Sequence, residues 1–172
     1  IETEHVSLHG FTASPVPSTP IPIMIGGGAP RVLGIAGREA DIVSLNFDNS
    51  SGKIGPAGVQ SSTAEKIDEK VRWVREGAES VGRSLPEIEI AGYFTVVTPD
   101  EATAEATAGQ FAKMFGLEPE QIIEHPNCLI GTLDQITERL QQRRERYGIS
   151  YVTVGDTNME AFAPVVERLA GT

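Results

Sequence analysis

The sequence has 172 residues, a formal net charge of −10 and 40% hydrophobic residues. This length is sufficient for one domain with a hydrophobic core. The negative charge argues against nucleic acid as a partner, because phosphate binding needs clustered Lys and Arg. No apolar run is long enough to cross a membrane, so we expect no membrane partner. Cys128 is the only cysteine, which excludes an internal disulfide and a cysteine-rich metal site and favours a cytoplasmic protein without a metal.

The first twenty residues are predicted to form an extended connector, because Pro15, Pro17 and Pro20 favour an extended chain. From residue 21 onward, strand and helix patterns alternate. The predicted strands are 21–25, 40–47, 88–97 and 149–154. The predicted helices are 30–38, a long helix between a capping box of Ser62 and Glu65 and a terminal Gly82, 98–115 with Thr98 as its cap and Gly116 after its end, 119–124, a helix capped by Thr132 and Gln135 and closed by Gly148, and 159–169 with a break at Pro164. A loop rich in glycine and serine is predicted over 48–61.

Strands separated by helices predict right-handed crossovers and a parallel sheet. Two architectures have this pattern, an open doubly wound sheet and part of a (β/α)₈ barrel. A full barrel takes about 250 residues. The sequence therefore supplies about half of a barrel, with four βα units, if the second architecture is correct.

A glycine motif follows the first predicted strand. An apolar run at 22–25 ends in Gly26, Gly27 and Gly28, and Ala29 precedes a helix that begins at Pro30. Glycines at a strand-to-helix turn expose backbone N–H groups, and a helix N-terminus carries partial positive charge, so the turn is interpreted as a phosphate cradle. The alternative is a tight turn without a ligand.

Arg31 argues against the interpretation of this motif as a dinucleotide-binding fingerprint. It occupies the position of the third glycine in a dinucleotide-binding fingerprint, so the motif does not favour a Rossmann fold. In the first turn of the helix, its side chain either reaches a phosphate or faces solvent. Asn46 lies at the end of the second predicted strand, where active-site groups project in parallel barrels, and is a candidate ligand contact.

Several segments together resemble the luciferase-like monooxygenase superfamily, and most of all its coenzyme F420-dependent oxidoreductases. The segments are 22–31, 35–41, 69–76, 82–83, 129–132 and 162–166. The resemblance implies an α/β fold in which residues 21–172 form the C-terminal half of a TIM barrel, strands five to eight. It also implies that the N-terminal half lies outside this sequence. F420 is the implied cofactor, with FMN as the alternative.

The resemblance also implies cofactor-binding positions. Ser51 and Lys53 lie in a segment that is similar to the Ser-Gly-Lys of some F420 dehydrogenases, and a polar loop without a ligand is the alternative there. The candidate cofactor-binding residues are Gly26, Gly27, Gly28, Arg31, Asn46, Ser51 and Lys53. No pairing of a nucleophile with a base and no carboxylate pair emerges, so no catalytic residue is assigned.

These expectations lead to one main hypothesis and two alternatives. The main hypothesis is the C-terminal part of an F420-dependent oxidoreductase that contributes phosphate binding for hydride transfer with a small-molecule substrate. The alternatives are an FMN-dependent monooxygenase and a non-catalytic half barrel that serves in assembly or ligand binding. Half a barrel leaves two sheet edges unpaired and an apolar face bare, which predicts a homo-oligomer or association with the missing half.

Overall fold

The computed structural model of the protein describes residues 1–12, 14–48, 52 and 54–171. Residues 1–12 are exposed, with an isolated antiparallel bridge between Glu2 and Ser7, and the boundary of the predicted connector stays a prediction. The elements that follow are β1 (Met24–Gly27), α1 (Pro30–Glu39), β2 (Ile42–Leu45), α2 (Pro56–Gln60), α3 (Ala64–Glu79), β3 (Glu87–Gly92), β4 (Phe94–Val97), α4 (Glu101–Phe115), α5 (Pro119–Glu124), β5 (Cys128–Gly131), α6 (Leu133–Tyr147), β6 (Ile149–Val154), a 3₁₀ turn (Asp156–Asn158) and α7 (Met159–Leu169).

The main sheet is parallel, as predicted. Its four strands lie in the order β1-β2-β3-β6, and β4 pairs in parallel with β5 in a second, two-stranded sheet. Within the main sheet the strands follow one another in chain order. A doubly wound sheet instead reverses its order at a switch point, so the observed order is that of a barrel-type sheet.

The prediction of one strand over 88–97 is wrong. The strand ends at Gly92, and after Tyr93 the chain continues as β4 beside β5. Asn127 contacts the chain on both sides of this break. Its side-chain amide donates to the Ala91 carbonyl oxygen (3.0 Å), and its backbone carbonyl oxygen accepts from the Phe94 N–H (3.2 Å). Strand β5 was not predicted, because a short, fully buried apolar run lacks the alternation of a half-buried strand.

The first strand also differs from the prediction. It begins at Met24 rather than at residue 21 and extends through Gly27, so Gly26 and Gly27 belong to the strand. Only Gly28 and Ala29 remain for the turn into α1. The exposed residues 21–23 precede the strand, because its pairing with β2 starts at Met24 opposite Ile42.

The predicted helix ends agree with the structure in part. The capping box of Thr132 and Gln135 is confirmed, and Gly116 and Gly148 adopt the left-handed conformation after α4 and α6. The capping box at Ser62 is wrong, because Thr63 precedes α3 and Ser62 is buried. Asp100, rather than Thr98, caps α4 and accepts a hydrogen bond from the Thr103 N–H (2.7 Å).

Two further helix predictions need correction. The segment 48–61 was predicted to be a loop, and within it the structure contains α2, which Pro56 opens. The last helix runs without a break from Met159 to Leu169 although Pro164 lies inside it.

Helices cover one face of the main sheet. Helices α1 and α3 pack so closely that a Cβ atom added to Gly37 would overlap the carbonyl oxygen of Val74. The largest core cluster lies between these helices and the sheet. Its buried residues are Leu33, Ala36, Ala40, Val43, Leu45, Ile67, Val71, Val74, Ile88, Ile90, Tyr147 and Ile149. Two smaller clusters lie around β4, β5 and α4 and between α6 and α7. Burial of these apolar side chains is the main term that stabilises the fold.

The opposite face of the main sheet has no helix of the described chain over it. Along this face Met24 is 47% exposed on β1 and Tyr151 is 44% exposed on β6. Between them lie polar side chains on β2, β3 and β6. The sequence predicted an apolar face here, so this part of the prediction is wrong. We refer to this surface as the open face.

Candidate functional site

The three glycines of the motif each approach another part of the chain closely. A Cβ atom on Gly28 would lie 2.7 Å from the carbonyl oxygen of Asn46 and 2.8 Å from that of Phe47. On Gly27 it would lie 2.6 Å from Val32 Cγ1, and on Gly26 it would lie 2.8 Å from the side-chain amide nitrogen of Asn46. Tight packing against neighbouring segments therefore accounts for each glycine.

Asn46 is the residue that joins this turn to the neighbouring strand. It is half-buried, directly after β2, and its N–H donates to the Gly27 carbonyl oxygen at 2.8 Å. Its own carbonyl oxygen accepts a hydrogen bond from Lys70 Nζ at 2.7 Å. The structure thus brings Gly26, Gly27, Gly28 and Asn46 together at the carboxyl edge of the sheet, and their predicted role in cofactor binding stays a prediction.

Helix α1 begins at this edge without a side-chain cap. Its N-cap residue is Ala29, which is exposed and makes no capping hydrogen bond. Within the described residues, no side-chain cap therefore competes with an anion for the first N–H groups of the helix, where the partial positive charge of the helix dipole lies. Arg31 lies in the first turn with an exposed side chain, which leaves both of its predicted roles open. Ser51 and Lys53 lie outside the described residues, and their role stays a prediction.

A cavity of about 430 Å³ adjoins the N-terminus of α1. Its walls come from the β1–α1 turn, from the residues after β2 and from the first half of α3. The residues that line it include Gly28, Pro30, Phe47, Lys66, Lys70 and Trp73. Two carboxylates, Asp48 and Glu69, line the cavity together with the two lysines, so the side chains of the lining carry no net formal charge and the helix N-terminus adds a partial positive charge.

Sequence reasoning missed the role of Lys70. The side chain is 3% exposed and also donates to the hydroxyl of Ser62 at 2.7 Å. Burial lowers the pKa of Lys70 to about 8, and the negative charge of Asp48 opposes this shift. A signal was present, because Lys70 interrupts an apolar stripe that contains Ile67 and Val71, where a charged residue needs a specific partner.

A second group of polar residues lies at the centre of the open face. The carboxylate of Glu89 accepts hydrogen bonds from the hydroxyls of Ser44 and Thr153, the latter at 2.8 Å, and Glu89 is 4% exposed. The negative charge of Glu89 contributes, after burial, to a raised pKa of the nearby Tyr93. The signal in the sequence was the alternation Ile88-Glu89-Ile90, which puts the carboxylate on the face opposite the core.

The described parts of the chain contain no group of three or more His, Cys, Asp or Glu residues arranged to hold a metal ion. No helix among them combines the length and the apolar composition needed to cross a membrane.

The parallel sheet and its glycine turn define an α/β protein, and the strand order is consistent with a barrel-type family. The family model for luciferase-like monooxygenase matches residues 1–115, and the chain belongs to this family. The chain is also 26% identical over 153 residues to a 5,10-methylenetetrahydromethanopterin reductase of Methanopyrus kandleri, covering 88% of this chain and 39% of the reductase. The predicted resemblance is thus confirmed.

Solved structures of enzymes share the fold. An F420-dependent secondary alcohol dehydrogenase in complex with an F420-acetone adduct is 15% identical, with a TM-score of 0.62 over 97% of this chain and 54% of the dehydrogenase. A riboflavin lyase with modified FMN and riboflavin is 13% identical, with a TM-score of 0.54 over 84% of this chain and 42% of the lyase. The chain spans about half, or less, of the length of these relatives.

Proposed function

We propose that this chain forms the C-terminal part of a luciferase-like, F420-dependent oxidoreductase and contributes phosphate binding for its cofactor. One observation carries the proposal: the uncapped N-terminus of α1 lies beside the glycine turn at the carboxyl edge of a parallel sheet. In parallel α/β folds, ligands bind at this edge. The F420-dependent structural neighbour supports the choice of cofactor.

The residues at this edge fit a phosphate group. At Gly28 a Cβ atom would collide with the carbonyl oxygens of Asn46 and Phe47, so the turn presents backbone instead of side chains. In this account the N–H groups at the start of α1 bind the phosphate oxygens, Arg31 adds charge, and Asn46 fixes the turn. Ser51 and Lys53 are proposed to complete the phosphate site. When bound, F420 supplies the hydride chemistry, and these residues orient it.

The main sheet is proposed to supply strands five to eight of a TIM barrel. The support is its strand order together with the open face, whose centre is a polar cluster of Glu89, Ser44 and Thr153. Both edge strands, β1 and β6, lack a neighbour on one side among the described strands. The remaining barrel half, or a second copy of the chain, is proposed to cover this surface. Light scattering tests self-association, and a monomer with a native circular dichroism spectrum would contradict it.

FMN is the alternative cofactor, since a riboflavin lyase with modified FMN shares the fold. FMN also carries a phosphate, which the same turn would bind. A non-catalytic half barrel remains the alternative from another class. We further propose a cytoplasmic location, which the presence of Cys128 as the single cysteine of the sequence favours.

Titration with F420 and with FMN tests the proposal. Binding of each is followed by the change in cofactor fluorescence at pH 7, with an Arg31→Gln variant and an Arg75→Gln control on the exposed surface of α3. We expect F420 to bind and Arg31→Gln to weaken it about threefold to tenfold, while Arg75→Gln leaves it unchanged. Binding of FMN alone would favour the alternative cofactor. Binding of neither would contradict a cofactor role for this chain.

A further inference from the structure

Lys70 is a buried lysine on the side of α3 that faces the sheet. Its ammonium group donates to two acceptors from different segments, the Asn46 carbonyl oxygen and the Ser62 hydroxyl, both at 2.7 Å. Lysine is rarely buried to this degree without specific partners. The two hydrogen bonds join α3 to the end of β2 and to the residues that lead from α2 into α3.

The Asn46 carbonyl oxygen that Lys70 binds also limits the space beside Gly28. It lies 2.7 Å from the position that a Cβ atom on Gly28 would occupy. The N–H of Asn46 donates in turn to the Gly27 carbonyl oxygen at 2.8 Å. A movement of Asn46 would therefore move the backbone of the glycine turn relative to the start of α1.

We propose that Lys70 is a positioning residue for the cofactor phosphate site, because it fixes Asn46 against Gly28 and so sets the geometry of the turn. The inference rests on the proposed function and extends it to a residue on another helix. It assigns Lys70 an indirect role, in which the ammonium group holds the protein backbone rather than the phosphate.

Charge and positioning can be separated at this residue. The charged or titratable groups near Lys70 on other segments are Asp48, after β2, and His125, before β5. On α3 itself, Lys66 and Glu69 pair with each other at 3.1 Å. Burial lowers the pKa of Lys70 to about 8. A neutral amine still has two N–H donors, so deprotonation removes the charge while both hydrogen bonds can persist.

The first test replaces the donor. Lys70→Met keeps the unbranched shape of the side chain but lacks the terminal nitrogen and makes neither hydrogen bond, and Lys113→Met removes an exposed lysine from α4 as the control. Affinity is measured for FMN and for riboflavin, which lacks the phosphate; if the wild type binds F420 alone, F420 and its phosphate-free chromophore replace this pair, with the same expected outcomes. We expect Lys70→Met to weaken FMN at least tenfold and riboflavin less than twofold, and Lys113→Met to change neither. A folded Lys70→Met variant with the FMN affinity of the wild type would overturn the proposal.

The second test uses the wild type and does not depend on the folding of a variant. FMN affinity is measured from pH 7 to 9.5, where its phosphate stays dianionic. If Lys70 acts by position, affinity changes less than about threefold over this range. A tenfold loss with a midpoint near pH 8 would overturn the proposal, because it would show that the charge itself binds the phosphate.

A third measurement separates this inference from the proposed function. If the wild type binds neither F420 nor FMN, the proposed function fails. The amide chemical shifts of Gly28 and Asn46 then still report on Lys70. Lys70→Met is expected to displace both signals, whereas unchanged signals in a folded variant would overturn the positioning role.

Discussion

The two faces of the main sheet differ in what covers them and in their chemistry. On the covered face, Val43, Leu45 and Ile88 are fully buried under α1 and α3. On the open face, a carboxylate with two hydroxyl donors lies between partly exposed Met24 and Tyr151. The covered face therefore stabilises the chain through apolar burial, whereas the polar groups at the centre of the open face bind one another. The difference teaches that the two faces of one sheet can be held by different interactions.

The largest expected effect comes from truncation of a core side chain on the covered face. Ile88→Ala removes a side chain with no exposure, and we expect the free energy of unfolding to fall by about 2–5 kcal/mol. The control Met24→Ala on the open face should change it by less than about 0.5 kcal/mol. Chemical denaturation measures both. Equal losses would show that the open face is covered in solution.

Acid should lower the free energy of unfolding through the buried His125. Its Nε2 lies 2.9 Å from the Val59 carbonyl oxygen, and its Nδ1 accepts a hydrogen bond from the Asn127 N–H. Protonation of Nδ1 would turn this acceptor into a donor that faces the Asn127 N–H donor. Burial lowers the pKa of His125 to about 4. Between pH 6.5 and 4 the unfolded chain binds the proton that the folded chain does not, so stability falls as the pH falls.

The pH experiment compares the wild type with His125→Gln by denaturation at pH 7, 6, 5 and 4. The wild type should lose about 2–3 kcal/mol more than the variant over this range. His5→Gln, in an exposed segment, serves as the control and should follow the wild type. Parallel curves for the wild type and His125→Gln would show that His125 does not titrate in this way.

Helix packing over the covered face should not tolerate an added methyl group. Gly37→Ala would force α1 away from the Val74 carbonyl oxygen of α3, and we expect a loss of about 1–3 kcal/mol. Gly109→Ala in α4 meets nothing within 4 Å and should instead stabilise by about 0.5–1 kcal/mol. Thermal denaturation gives the sign of each change, and stabilisation by Gly37→Ala would contradict the described packing.

The smallest effect is expected on the open face. Ser44→Ala removes one of the two hydroxyl donors to Glu89 and should cost about 0.5–1.5 kcal/mol. Ser150→Ala, whose hydroxyl donates to the exposed Glu87 at 3.1 Å, is the matched control and should cost less. Chemical denaturation at pH 7 measures both variants. A larger loss for Ser150→Ala would mean that burial of Glu89 does not strengthen its hydrogen bonds.

The sequence predicted local features where one residue type dictates the geometry. Gly116 and Gly148 end their helices as expected because they adopt positive φ angles, and Thr132 with Gln135 forms its capping box. The site residues near the turn could also be placed, because Gly26 to Gly28 and Asn46 end neighbouring parallel strands.

Features that depend on tertiary contacts could not be predicted from the sequence. The division of one predicted strand into β3 and β4 depends on Asn127, which lies more than thirty residues away. Ser62 has the pattern of a helix cap but accepts a hydrogen bond from buried Lys70 instead. The polar centre of the open face combines residues from three strands, which no local pattern relates.

The most direct test of the account is a charge placed at the start of α1. Ala29→Asp supplies a helix cap with a negative charge, and Ala29→Asn supplies a neutral cap of similar size. We expect Ala29→Asp to stabilise the fold by about 1 kcal/mol and yet to abolish the preference for FMN over riboflavin, while Ala29→Asn keeps part of that preference. If Ala29→Asp binds FMN as tightly as the wild type, the phosphate does not bind at the N-terminus of α1.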